Sequence, residues 1–431
     1  MNTPTASRAA LDGVRVLDLS SIVFGPYASQ ILADYGADVI KVEALPYGDS
    51  TRNTGPSLER GLSAIFLGIN RNKRSVVLDL KRREALDALL RLVDTVDVFM
   101  HSIRPQKMKR LGLDPDTLLK RNPRLIYVGL HGFGQDGAYA GQPAYDDIIQ
   151  GLSGVADVVA QQTGTPRYFP TIAADKTCAL IAAHGVLAAL FQREHTGEGQ
   201  FVEVPMFEAM TSYMLVEHFY GHHLPKRDAR AGYPRILSEW RRPYATTDGY
   251  VCLMPYTDQH WEKFFKAIGR PELGESDKYA TIAARTQNIN ELYELLGRIV
   301  AKQTTAHWLK LFEQLEIPAS RINALQDLES DPHLQSVNFF QDITDEANNC
   351  YRFTRNPVHL QNSHVDPSMP PRLGQHNHDI FHEAGLTDEE IQLLYDIGAT
   401  LDHTSSWKGS CHAADKNTIN KDKPINEENL R

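Results

Sequence analysis

Residues 14–43, VRVLDLSSIVFGPYASQILADYGADVIKVE, decide the fold class. Val14 to Ser20 is a short, mostly apolar run of the kind that forms a buried strand. Ser21 to Pro26 reads as a turn, and Tyr27 to about Tyr35 as a helix closed by Gly36. Asp38 to Glu43 is the next strand. A strand–helix–strand unit of this length builds parallel sheets. GxGxxG is missing after the first strand, which argues against a nicotinamide or flavin enzyme.

The unit recurs downstream. Ser75–Leu80 is a strand, Arg82–Leu92 an amphipathic helix, Val96–Met100 a strand, Pro115–Arg121 a short helix and Leu125–Leu130 another strand. Alternation on this scale predicts an α/β, doubly wound sheet, with ligands at the carboxyl ends of its strands. Basic residues gather at the junctions: Arg71, Lys73 and Arg74 before one strand, Lys81 after it, then Arg104, Lys107, Lys109 and Arg110. Their placement predicts an anionic ligand carrying several phosphates. The loop after Leu130 holds glycines at 132, 134, 137 and 141, which let backbone N–H groups approach a ligand closely.

Residues 171–205, TIAADKTCALIAAHGVLAALFQREHTGEGQFVEVP, place one acid in this framework. Thr177 to Phe191 is apolar on nearly every side, as a buried helix is. Asp175 stands just before it and is expected to cap its N-terminus. Thr196–Gly199 reads as a tight turn and Gln200–Val204 as a strand.

Bulk properties narrow the class. A chain of 431 residues suggests a large and a small domain. Net charge −9 argues against a nucleic-acid partner. Cys178, Cys252, Cys350 and Cys411 form no CxxC pair and no disulfide framework, which fits a reducing compartment. No apolar run reaches the ~18 residues of a membrane span. A cytoplasmic protein without a membrane partner is expected. The texture turns polar and basic from His222 to Tyr244, as in a linker or an active-site loop. The predicted layout is a large domain from 1–224 and 329–405, a smaller α+β domain at 225–328, and a disordered tail at 406–431.

In order, LDGVRVLDLS, FGPYASQILADYGADVIKVE, NRNKRSVVLDLK, RPQKMKRLGLD, GFGQDG, PAYDDIIQGLSG, AADKTCALIAAHGVLAAL, TGEGQFVEV and PPRLGQH resemble the class III CoA-transferases. This formyl-CoA transferase-like, or CaiB/BaiF-like, family also contains α-methylacyl-CoA racemases. The resemblance covers about residues 11 to 400. It implies a Rossmann-like large domain built from both chain ends, a small domain from the middle, and an interlocked homodimer. It assigns the catalytic carboxylate to Asp175. CoA-binding positions fall on Val23 and Phe24, on Leu78 to Lys81, on Ser102, Ile103 and Arg104, and on Arg110, Tyr145 and Asp146. Where some members carry an arginine after the I-K-x-E strand, this chain has Ala44, so that adenine or phosphate contact is either missing or supplied by Lys73, Arg74 or Arg104.

The chemistry agrees with that assignment. A carboxylate can attack a thioester because thiolate leaves readily and the anhydride is of comparable energy, so Asp175 is a candidate covalent nucleophile. Bound CoA thiolate then attacks the anhydride to give an aspartyl-CoA thioester, and an incoming acid reverses the steps. The exchange needs no metal and no permanently bound cofactor; CoA and acyl-CoA are substrates. The helix terminus is expected to keep Asp175 ionised, with Gly132, Gly134 and Gly137 offering N–H groups to the oxyanion. The racemase alternative needs a histidine where this chain has Tyr145, a poor base at neutral pH. A non-catalytic CoA-binding module is the third reading. Arg235, Arg241 and Arg242 are candidates for a second substrate carboxylate, as in succinyl-CoA and a short dicarboxylate acceptor, or else a solvated or interface patch.

Overall fold

Six strands form one parallel sheet: β1 (Arg15–Leu19), β2 (Asp38–Glu43), β3 (Lys73–Val77), β4 (Val98–His101), β5 (Ile126–His131) and β6 (Gln200–Pro205). Their order is β3-β2-β1-β4-β5-β6, and every pairing is parallel. The structure is a computed structural model that describes residues 9–225 and 230–402. The tail expected at 406–431 lies outside the described residues.

Both faces of the sheet are covered, which explains why its strands read as apolar runs rather than alternating ones. On one face, Val16, Val98, Met100, Val128 and Val204 meet Phe24, Leu32, Cys178, Ala182 and Val186 from the Phe24–Asp34 and Ala173–Thr196 helices. On the other, Leu17, Ile40, Phe99 and Tyr127 pack with Leu89, Leu92, Ile380, Phe381 and Leu394. The last three come from the Asn377–Glu383 and Asp388–Asp396 helices. Residues from both ends of the chain therefore complete one core, the C-terminal part contributing helices and no strand of this sheet.

The Ala173–Thr196 helix is long and apolar enough, by length and composition, to cross a membrane. Here its small residues let it lie against the Phe24–Asp34 helix and the sheet. It begins four residues earlier than the apolar run suggests and ends at Gly197, whose φ of +77° suits glycine at the residue after a helix.

The middle of the chain has its own core. Strands β7 (Tyr244–Ala245), β8 (Tyr250–Leu253) and β9 (Ala319–Arg321) form an antiparallel sheet. Trp261, Phe264, Phe265, Trp308 and Phe312 pack beneath it with Leu292 and Leu296. The buried residues of this core run from Tyr244 to Ile317. An antiparallel hairpin, β10 (Phe340–Thr344) and β11 (Cys350–Thr354), precedes the return to the large sheet.

Candidate active site

The helix carrying Asp175 starts at Ala173, with Ile172 at the cap position. Asp175 is thus the third residue of the helix, which corrects the expectation that its side chain caps it. The cap comes from Asp146 instead. Its Oδ1 accepts the backbone N–H groups of Ala174 at 2.8 Å and Asp175 at 3.1 Å, and its Oδ2 accepts Gln150 Nε2 at 2.6 Å. A carboxylate 28 and 29 residues away satisfies the orphan donors that a helix start leaves open.

Asp175 is only 8% exposed. Burial, reinforced by the neighbouring Asp146 carboxylate, pushes its carboxyl up to about 7. The expectation that the helix terminus keeps it fully ionised is therefore overturned: desolvation wins, because Asp146 already occupies the positive end. An acid held near neutrality is more basic than a free aspartate yet still ionises at cellular pH, which suits a nucleophile.

Asp175 opens on a cleft of about 500 Å³. Ser21, Ile22 and Phe24 line it from the end of β1, Ser102 and Arg104 from β4, and His131 and Gly132 from β5. These are carboxyl ends around β1 and β4, where the strand order reverses; open α/β sheets place ligands in that crevice. The Ser21 N–H donates to Ser102 Oγ at 3.2 Å across the reversal, joining its two sides.

The β1 turn is held unusually firmly. Ile22 has φ +71°, costly for a β-branched side chain. Its N–H donates to both oxygens of Asp49 at 3.2 Å. Asp49 is paired with fully buried Lys41 at 2.9 Å. Burial opposes charge on Asp49, but Lys41 outweighs it and holds the carboxyl below its usual range. At Gly25 any β-carbon would lie 2.1 Å from Ser20 Cβ, so only glycine lets the helix start this close to the strand.

Several predicted CoA contacts meet this cleft, others do not. Phe24, Ser102, Arg104 and Tyr145 line it. Val23 is buried beside it in the same turn. Ile103 packs on the sheet core, while Lys81 and Arg110 are exposed. Leu78 is buried in that core.

Lys73 is a correction: its Nζ donates to Pro26 O and Asn70 Oδ1, both at 2.8 Å, and faces Asp18 at 3.7 Å. Burial pushes it down to about 7 despite Asp18. Arg74 is tied to Asp38 and Glu383, and Arg71 to Asp34. These cations stitch the sheet to its flanking segments, leaving Arg104 as the one of the three suggested substitutes at the cleft.

The glycine loop also divides. Gly132 lines the cleft, but the Gly134 N–H donates to Glu208 Oε1 at 2.9 Å and the Gly137 N–H to Gly134 O at 3.1 Å. Neither is available to an oxyanion: the Glu208 carboxylate takes one and the loop's own backbone the other. Arg235 donates to Tyr293 Oη at 2.7 Å and covers the Tyr256 ring, inside the small domain. Arg241 and Arg242 line a separate hollow there with Cys252 and Met254. The structure does not bring these three arginines to Asp175.

His131, at the end of β5, also faces the cleft. Its Nδ1 is 2.8 Å from Glu203 Oε1, and its buried Nε2 has no hydrogen-bond partner among the described residues. The cross-strand register that sets Glu203 opposite Gly129 creates this pair. Spacing along the chain carries no sign of it.

With this geometry in place, comparison with known proteins defines the class. Residues 11–377 match the model of CoA-transferase family III. The chain belongs to that family and is an enzyme of the CoA-transferase type. It is 32% identical to a probable fatty acyl-CoA transferase of Mycobacterium tuberculosis, over 87% of this chain and 98% of that protein. It is 30% identical to a succinate–glutarate CoA-transferase of Agrobacterium fabrum, over 86% of this chain and 95% of the relative. A crystal structure of the M. tuberculosis protein Rv3272 superposes with a TM-score of 0.75 at 31% identity, covering 87% of this chain and 99% of that one.

Proposed function

We propose that the enzyme moves CoA from an acyl-CoA donor to a free carboxylic acid, with Asp175 as the covalent nucleophile. The observation that carries this reading is a buried carboxyl, raised to about 7, opening on the cleft at the sheet's topological reversal. Its carboxylate attacks the thioester carbon, the C–S bond breaks, and CoA leaves as thiolate. The thiolate attacks the aspartyl carbonyl of the anhydride and frees the first acid. The acceptor carboxylate then repeats the exchange in reverse, so charge and protons balance without an outside reagent.

Succinyl-CoA and a short dicarboxylate are the proposed donor and acceptor. Arg104 at the cleft supplies the cation for an anionic group, whether CoA phosphate or substrate carboxylate. The succinate–glutarate relative supports that substrate class. Asp146 argues against racemisation: it is committed to capping a helix, and Tyr145 beside it lies 65% exposed.

The working form is proposed to be a homodimer. Leu180 and Phe191 on one helix, and Tyr213 and Val216 on the next, are large apolar side chains left exposed, and exposed apolar patches of this kind mark association surfaces. Cytoplasmic placement is likewise proposed; Cys178, Cys252 and Cys350 are free thiols, as a reducing compartment allows.

Incubation with succinyl-CoA, trapping with hydroxylamine and mass spectrometry of the Asp175 peptide test the reading. A hydroxamate on Asp175 is expected. An unmodified peptide during turnover would overturn the covalent route.

A further inference from the structure

Far from Asp175 in sequence, three ligand-bearing side chains converge where the chain returns to the large domain. His378 and His382 are one helical turn apart on the Asn377–Glu383 helix. Asp388 opens the Asp388–Asp396 helix that follows. His382 Nε2 lies 3.2 Å from His378 Nε2 and 3.0 Å from Asp388 Oδ1, and all three atoms are mutually within 4.8 Å.

One proton on His382 cannot serve both contacts. A neutral or charged imidazole carries at most one hydrogen on Nε2. His382 can direct that hydrogen at His378 or at Asp388, so a single hydrogen serves only one of the two contacts. A cation at the centre would satisfy all three at once. The spacing fits as well: bonds of about 2.0–2.1 Å in a tetrahedral site put neighbouring ligand atoms about 3.3 Å apart.

The scaffold on either side is fixed. Asn377, Ile380 and Phe381 anchor the first helix in the sheet core. Thr387 and Glu390 close a reciprocal cap around the start of the second, at 2.9 and 3.3 Å, and this positions Asp388. Asp379 Oδ1 is 3.9 Å from His378 Nδ1, beyond hydrogen-bond reach but near enough to favour positive charge on that ring.

We propose that His378, His382 and Asp388 bind a divalent transition metal of the Zn²⁺ class, with water at the open position, clipping the two C-terminal helices together. Two imidazoles select such a metal over Mg²⁺ or Ca²⁺, which take oxygen ligands. The site is independent of transfer at Asp175.

The test is Zn²⁺ titration, by calorimetry, of the full-length chain stripped with a chelator, in wild type and in a His378→Ala/His382→Ala double variant. Other histidines and the C-terminal residues are common to both proteins, so the difference between them reports this site. Wild type is expected to bind one more equivalent, undisplaced by a large excess of Mg²⁺, and to melt at higher temperature as Zn²⁺ is added. Asp388→Asn, which keeps the shape of the side chain, is expected to weaken that equivalent by about tenfold or more. Equal stoichiometry and affinity in wild type and the double variant would overturn the proposal, as would displacement by Mg²⁺. Should the double variant fail to fold, Asp388→Asn binding Zn²⁺ as tightly as wild type would overturn it alone.

Discussion

Asp146 holds the backbone of Asp175 through a 3.1 Å hydrogen bond from the Asp175 N–H, while its negative charge raises the pKa of the Asp175 side chain. One carboxylate thus positions its neighbour and tunes it.

Asp146→Asn separates the two effects. The amide oxygen can still accept the helix N–H groups, but the charge is gone. The activity–pH profile of the variant is expected to shift toward lower pH, with a stability change within about 1 kcal/mol. Asp146→Ala is expected to lose the cap as well and to destabilise by about 1–2 kcal/mol. An unchanged pH profile in Asp146→Asn would show that burial alone sets the Asp175 acidity.

For wild type, the first half-reaction is expected to rise with pH as Asp175 ionises around 7 and then to level off. Rapid-quench measurement of CoA release between pH 5 and 9 checks this. A rate independent of pH across that window would count against a nucleophile with this acidity.

Asp175→Asn is expected to lower kcat at least ~10³-fold, since an amide cannot form the anhydride. It is also expected to stabilise the fold at pH 7 and above. The sign follows from linkage: a carboxyl raised in the folded state binds more protons folded than unfolded between about pH 4 and 7. Stability therefore falls as pH climbs through that window, and the loss is complete above the folded value. Removing the acid restores up to a few kcal/mol, measurable by urea denaturation at pH 5 and 8.

Asp49→Ala leaves Lys41 buried without its ion pair and releases the Ile22 N–H. A cost of about 3–5 kcal/mol is expected. Denaturant titration reports it, and weaker CoA binding should accompany it because the Ser21–Phe24 turn loses its clamp.

Placing a charge on the exposed apolar face, as in Val216→Asp with Phe191→Asp, is expected to dissociate the proposed homodimer in light scattering. A double variant that keeps the wild-type mass would move the interface elsewhere.

Much of this was legible in the chain. Apolar runs at strand length, separated by helical periods and glycine turns, specified a parallel α/β sheet, because a strand buried on both faces has no polar side to show. The apolar run after Asp175 likewise announced a buried helix. Tertiary structure decided which charges were free. Lys73, Arg74 and Arg71 stand as close to strand ends as Arg104 does, yet folding spends them on Asp18, Asp38 and Asp34. Likewise, only the packed structure brings Asp146 to the start of the Asp175 helix and Glu203 to His131. Periodicity reports which face of an element avoids water, whereas the acidity and reach of a charged group depend on partners tens of residues away, brought near by packing alone.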